Sequence, residues 1–145
     1  MRTEEINRLK LLNQAVLKID NEQNLFRTQN MYCLTKSGKQ VLYIGPDQIE
    51  EKLDTLMETV FTLCQRSEAG EMLIKSLAIF WLGFIEIHPF TDGNERTAKE
   101  YIKHKLSIAD LPVISMRPLE RIKISGDVRE DLPLVEQALF ECVYR

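Results

Sequence analysis

The segment from Met72 to Ile87 constrains this chain more than any other. It reads Met-Leu-Ile-Lys-Ser-Leu-Ala-Ile-Phe-Trp-Leu-Gly-Phe-Ile-Glu-Ile, with Lys75 and Glu86 as its only charges. Apolar residues fall on nearly every face of such a helix, which requires burial at the centre of a bundle rather than at its surface. The run is too short to span a bilayer comfortably, so a core helix is predicted and no membrane is expected as a partner. A buried helix needs amphipathic neighbours, and the chain of 145 residues is long enough to supply them within one domain spanning 1–145.

The neighbours follow from periodicity. Thr3 is placed to cap a first helix, Glu4 and Glu5 suit its positive end, and Ile6, Leu9, Val16 and Ile19 share a face, which predicts a helix to about Asp20. Met31–Leu34 and Gln40–Ile44 are short runs rich in β-branched and aromatic residues, joined by Thr35-Lys36-Ser37-Gly38-Lys39, and they predict a hairpin. Gly45-Pro46 breaks the chain, and Asp47 with Glu50 resembles a capping box before Ile49, Leu53, Leu56, Val60 and Leu63 at helical spacing. Ser67–Gly70 reads as a turn before the apolar helix. A further helix from about Asn94 to Leu106 would turn Ala98, Tyr101, Ile102 and Leu106 inward, with Leu111-Pro112 closing that region. The stretch from Met116 to Gly126 has no clear period, and a last helix is predicted after Asp131-Leu132-Pro133 through Val135, Leu139 and Val143. The fold class is mainly α with one short hairpin.

Candidate chemistry is concentrated between the apolar helix and the next one. Asp92-Gly93-Asn94 is a turn tripeptide directly before a helix, so the N–H groups of residues 93 to 96 point toward one spot at a positive dipole end. Arg96 and Lys99 are three apart, hence on one face, and Lys103 extends the stripe. Asp92 is a carboxylate beside that nest, suited to Mg²⁺, which takes oxygen ligands and keeps several waters. His88 can take a proton from an attacking hydroxyl near neutral pH. Each feature alone has a plainer reading: a structural histidine, a turn and cap, a solvated basic face. Together, a base, a metal carboxylate, an anion nest and a cation are the parts that phosphoryl or nucleotidyl transfer needs.

The order His88-Pro89-Phe90-Thr91-Asp92-Gly93-Asn94-Glu95-Arg96 resembles the Fic signature HPFx(D/E)GNGRxxR. Phe26-Arg27-Thr28 before the hairpin, Gly45-Pro46 after it, and Ala109-Asp110-Leu111-Pro112 downstream resemble the family pattern too, so the likeness covers roughly residues 20 to 115. The resemblance implies a Fic-like helical bundle with a hairpin flap. It implies Mg²⁺-dependent transfer of AMP from ATP to a Ser, Thr or Tyr hydroxyl of a target protein. In that scheme His88 is the general base, Asp92 the Mg²⁺ ligand and Phe90 the loop anchor. Gly93, Asn94, Arg96 and the neighbouring positions Glu95 and Lys99 form the nucleotide-phosphate site. The flap residues Met31, Tyr32, Cys33, Leu34, Val41, Leu42 and Tyr43 dock an extended target segment by strand pairing.

Two positions depart from the pattern: Glu95 stands for the second glycine and Lys99 for the last arginine. A glutamate adds bulk and negative charge where polyphosphate approaches, and two like charges about 4 Å apart cost roughly 1 kcal/mol in water and more where water is excluded. Lys99 keeps the charge without the bidentate fork. Glu95 equally suits the first turn of a helix. Three alternatives stay open: a catalytically silent binding module, self-inhibition through pairing of Glu95 with Arg96 or Lys99, and a kinase like the Doc toxins. The Doc toxins show Asn-Lys-Arg-Thr-Ala where this chain has Asn94-Glu95-Arg96-Thr97-Ala98. The regulatory pattern [S/T]xxxE[G/N] has no full match, since Ser67–Glu71 is followed by Met72.

Net charge of −3 argues against a nucleic-acid partner that relies on a general basic field. Cys33, Cys64 and Cys142 form no CxxC pair, and with only two histidines a structural zinc site is not expected. Reduced thiols and the lack of an apolar stretch near Met1 give a cytoplasmic expectation. An inhibitory partner is compatible with the resemblance, and the sequence specifies no oligomeric state.

Overall fold

The computed structural model describes residues 2–18, 26–34, 37–65 and 70–144. Its helices are α1 (Arg2–Leu17), α2 (Ile49–Gln65), α3 (Gly70–Ile87), α4 (Asn94–Ile108), a short α5 (Arg117–Glu120) and α6 (Val128–Val143). The strands β1 (Tyr32–Leu34) and β2 (Gln40–Leu42) pair antiparallel, with Cys33 opposite Val41. No helix among the described residues is long and apolar enough to cross a membrane.

The central position of α3 follows from its composition. Ile74, Leu77, Ala78, Phe80, Trp81, Phe84 and Ile87 are all buried, and α3 packs against α2, α4 and α6. Each such large apolar side chain contributes about 1.5–3 kcal/mol relative to exposure. Gly83 permits close approach of Leu56 from α2, because a Cβ there would lie 2.6 Å from Leu56 Cδ1. The α2 face is Ile49, Leu53, Met57 and Val60, so Met57 rather than Leu56 occupies the innermost third position. Ala98, Tyr101, Ile102 and Leu106 of α4 all face inward as the spacing predicts.

A polar network ties α1 to α4. The buried Tyr101 hydroxyl donates to Glu5, and Lys105 Nζ lies 3.0 Å from Glu5 Oε2. Burial and the adjacent Glu5 carboxylate push the Tyr101 hydroxyl far up, so it stays a donor. Ile6 and Leu9 bury as expected, but the next inward position of α1 is Asn13, which is also buried.

Four boundaries differ from the sequence expectation. Thr3 lies inside α1 rather than at its cap, and α1 ends at Leu17, where Lys18 turns to φ 55°. Ile19 and Asp20 fall outside the described residues, as do most of the Ser67–Gly70 turn and two residues of the hairpin turn. Asp47 does not cap α2: Pro46–Gln48 form a 3₁₀ turn, and the helix begins at Ile49. The last helix starts at Val128, ahead of Pro133, because the Asp127 carboxylate accepts from the Arg129 N–H at 3.0 Å. Pro133 then sits in the second turn, where it forfeits one backbone bond. Asp131 is buried and accepts from Ser125 N, Ser125 Oγ and Gly126 N at 2.8–3.0 Å, which holds its carboxyl below the usual range.

The stretch without a clear period has a structural task. Ile114 N–H donates to Cys142 O at 2.7 Å, and Leu119 is buried, so α5 is pinned against α6. This carries Glu120 to the start of α4.

Candidate active site

Phe90 is the anchor of the loop between α3 and α4. Its side chain is 1% exposed and packs on Phe26 and Phe84. Its main chain is clasped by Asn94, whose Oδ1 accepts from Phe90 N at 2.9 Å while Nδ2 donates to Phe90 O at 2.7 Å. The Asn94 side chain is therefore occupied in holding the loop, which leaves its main-chain N–H as the group available to an anion.

Gly93 caps α4 in the left-handed region at φ 74°, which glycine adopts without penalty. A Cβ there would meet Leu17, Asn13 and Val16 at 3.1–3.3 Å, so the end of α1 closes the back of the turn. Asn13 Nδ2 donates to Asp92 O at 2.9 Å and to Thr97 Oγ1 at 3.1 Å. Of the four amides expected to converge, Gly93 N–H donates to Asp92 Oδ1 at 2.7 Å. No side chain caps the helix, and the N–H groups of Asn94, Glu95 and Arg96 have no acceptor among the described residues. Three amides thus point into a cavity of about 530 Å³ lined by His88, Thr91, Asp92, Gly93, Asn94, Glu95, Arg96, Lys99 and Glu120.

His88 N–H completes α3 by donating to Phe84 O at 2.9 Å, and its φ of 52° then turns the chain out of the helix. A non-glycine residue there costs on the order of 1–3 kcal/mol unless its surroundings hold it. Arg27 does so. The residue is 3% exposed; its guanidinium donates to His88 O (2.6 Å), Ile87 O (3.2 Å), Ile44 O (2.6 Å) and Gln29 O (3.0 Å), while its main-chain N–H donates to Pro89 O at 2.9 Å. No described residue hydrogen-bonds either ring nitrogen of His88. Burial, then the nearby Arg27 charge, hold the imidazole below its ordinary value, which keeps it neutral and able to accept a proton.

The charges differ from the expected arrangement. Arg96 pairs with Asp92 (3.8 Å), and Lys99 pairs with Glu120 (3.0 Å). Neither pairs with Glu95, which is exposed and lines the cavity with no ion pair among the described residues. Lys103 pairs with Glu100 on the outer face. Asp92 is a carboxylate that could hold Mg²⁺: its side chain is 74% exposed and lines the cavity. A single carboxylate with substrate phosphates is the ordinary environment of that ion, and no cluster of three metal-ligating side chains exists among the described residues.

The hairpin lies beside His88. Tyr32, Cys33, Leu34, Val41 and Leu42 are exposed, and Met31 is half-buried. Tyr43 turns inward instead, its ring stacked on the His88 ring at 4.1 Å and 6°. Sequence reasoning did not single out Asn13 or Glu120, and it named Arg27 only within the Phe26-Arg27-Thr28 segment, without a role. A polar residue at the next inward position after Ile6 and Leu9 was a visible signal for Asn13; a glutamate in an aperiodic stretch gave none.

A family model described as Fic/DOC family matches residues 4–104. Among solved structures, a Fic domain containing signaling protein from Bacteroides thetaiotaomicron VPI-5482 superposes with a TM-score of 0.70 at 16% identity, covering 93% of this chain and 57% of that one. A Fic family protein from Desulfovibrio desulfuricans G20 gives 0.63 at 20% identity, covering 93% of this chain and 44% of that one. At these identities the likeness is one of fold, and the chain spans about half the length of each protein. Among curated proteins none matches.

Proposed function

Because the chain belongs to the Fic/DOC family, we propose that it transfers AMP from ATP to a Ser, Thr or Tyr hydroxyl of a target protein in the presence of Mg²⁺. The observation that carries this reading is the shared cavity: three main-chain amides and an imidazole, none with a hydrogen-bond partner among the described residues, line the same 530 Å³. The target hydroxyl loses its proton to His88, its oxygen attacks the α-phosphorus, and pyrophosphate leaves. The amides of Asn94, Glu95 and Arg96 are fixed before the reaction and face the charge that develops on the phosphates. Asp92 would hold Mg²⁺, which supplies neutralisation of phosphate charge when bound. The target strand lies along the exposed edge of the hairpin.

Incubation with ATP labelled in the α- or the γ-phosphate tests the reaction. Label from the α position alone on a target is the expected result. Label from the γ position alone means a Doc-like kinase, and labelling that survives His88→Ala removes the base assignment.

A second reading, a module whose nest is blocked, is favoured by one specific observation. Asp92, Glu95 and Glu120 bring three carboxylates to the cavity wall against Arg96 and Lys99. Calorimetry with ATP and Mg²⁺ separates the two readings. Absence of binding in the natural chain with binding in Glu95→Gly establishes the block, whereas binding in both excludes it.

A further inference from the structure

Arg27 stands where three chain segments meet. Gln29 lies just before β1, Ile44 just after β2, and Ile87 and His88 form the end of α3; a carbonyl from each segment accepts from the same buried guanidinium. Tyr43 N–H donates to Met31 O at 2.9 Å and closes the base of the hairpin next to this knot. The Tyr43 ring then lies parallel to the His88 ring at 4.1 Å. The hairpin therefore touches His88 twice: at the carbonyl through Arg27, and at the imidazole through Tyr43. Elsewhere its exposed strand residues face solvent.

We infer that Arg27 and Tyr43 are positioning residues that make the orientation of the His88 imidazole depend on the seat of the hairpin. This rests on the reading of His88 as the base. An arginine fork can bind several carbonyls at once, whereas a lysine is a point donor with no comparable reach. Moving the hairpin shifts the carbonyls of Gln29 and Ile44 and, through the shared guanidinium, the carbonyl of His88. The stacked Tyr43 ring moves with it. An extended segment that pairs with the hairpin edge would thereby set the ring that takes its hydroxyl proton.

The test uses NMR of the full chain with labelled histidine, and needs neither nucleotide nor target. The chain has two histidines, and His104 lies on α4 against Arg8, 2.8 Å from its Nη1, so it serves as an internal reference. The stacked tyrosine displaces the His88 ring protons upfield. Tyr43→Leu is expected to abolish that displacement and Tyr43→Phe to keep it, with His104 unmoved in both. Arg27→Lys is expected to abolish it as well, although Tyr43 is intact, while the Trp81 indole signal and helical circular dichroism persist. If Arg27→Lys does not fold, the Tyr43 pair together with Arg27→Gln decides. A His88 signal unchanged in Tyr43→Leu, or a folded Arg27 variant with the displacement intact, overturns the inference. A chain that labels no target yet passes the ring test overturns the enzymatic reading and leaves the coupling standing.

Discussion

Replacing Asn94 with alanine removes both halves of the clasp around Phe90. The bonds lost are Phe90 N to Oδ1 at 2.9 Å and Nδ2 to Phe90 O at 2.7 Å, and both are buried. A buried donor or acceptor stranded by deletion of its partner costs about 1–3 kcal/mol, so two give about 2–6 kcal/mol. Water entering the space left by the amide recovers part of that, which places the expected loss near 3 kcal/mol. With a urea m-value of about 1.5–2 kcal/mol/M, the midpoint should fall by about 1.5–2 M with m unchanged. Asn94→Asp should lie between, because one carboxylate oxygen still accepts from Phe90 N while the other faces the Phe90 carbonyl. Urea unfolding followed by circular dichroism measures both. An alanine variant within about 0.5 kcal/mol of the natural chain would refute the claim that this side chain serves the loop rather than a ligand.

Gly93→Ala must hold alanine at φ 74° and place its Cβ 3.1 Å from Leu17 Cδ2, so a loss of about 1–3 kcal/mol in thermal or urea unfolding is expected. Asn13→Leu strands Asp92 O and Thr97 Oγ1 in a buried corner and should cost about 2–4 kcal/mol by the same measurement. The folded His88 midpoint lies below that of the unfolded chain, so the unfolded state binds more protons between the two values. Unfolding free energy should therefore fall as pH drops from about 6.5 toward the folded midpoint, and His88→Gln should flatten that slope. Lys99→Met leaves Glu120 without its cation and adds net negative charge to the cavity, so any ATP affinity measured by calorimetry should weaken at least tenfold.

The sequence alone determined the elements that depend on local pattern. The all-round apolar run could only be a central helix, and the inward face of α4 was legible because Ala98, Tyr101, Ile102 and Leu106 repeat at helical spacing. The turn into α4 was legible too, since a glycine before a helix start permits the left-handed cap. Helix starts were less so, because a 3₁₀ turn at Pro46–Gln48 precedes α2 and Asp127, not a residue beside Pro133, caps α6. Tertiary structure decided how the site is held and how it is charged. Asn94 looks like a ligand in sequence and is a clasp in space, because Phe90 lies one turn away across a loop. Glu95 has no cationic partner among the described residues, because Arg96 pairs with Asp92 and α5 delivers Glu120 to Lys99. The Arg27 guanidinium reaches a carbonyl 61 positions away, a distance at which no spacing rule operates.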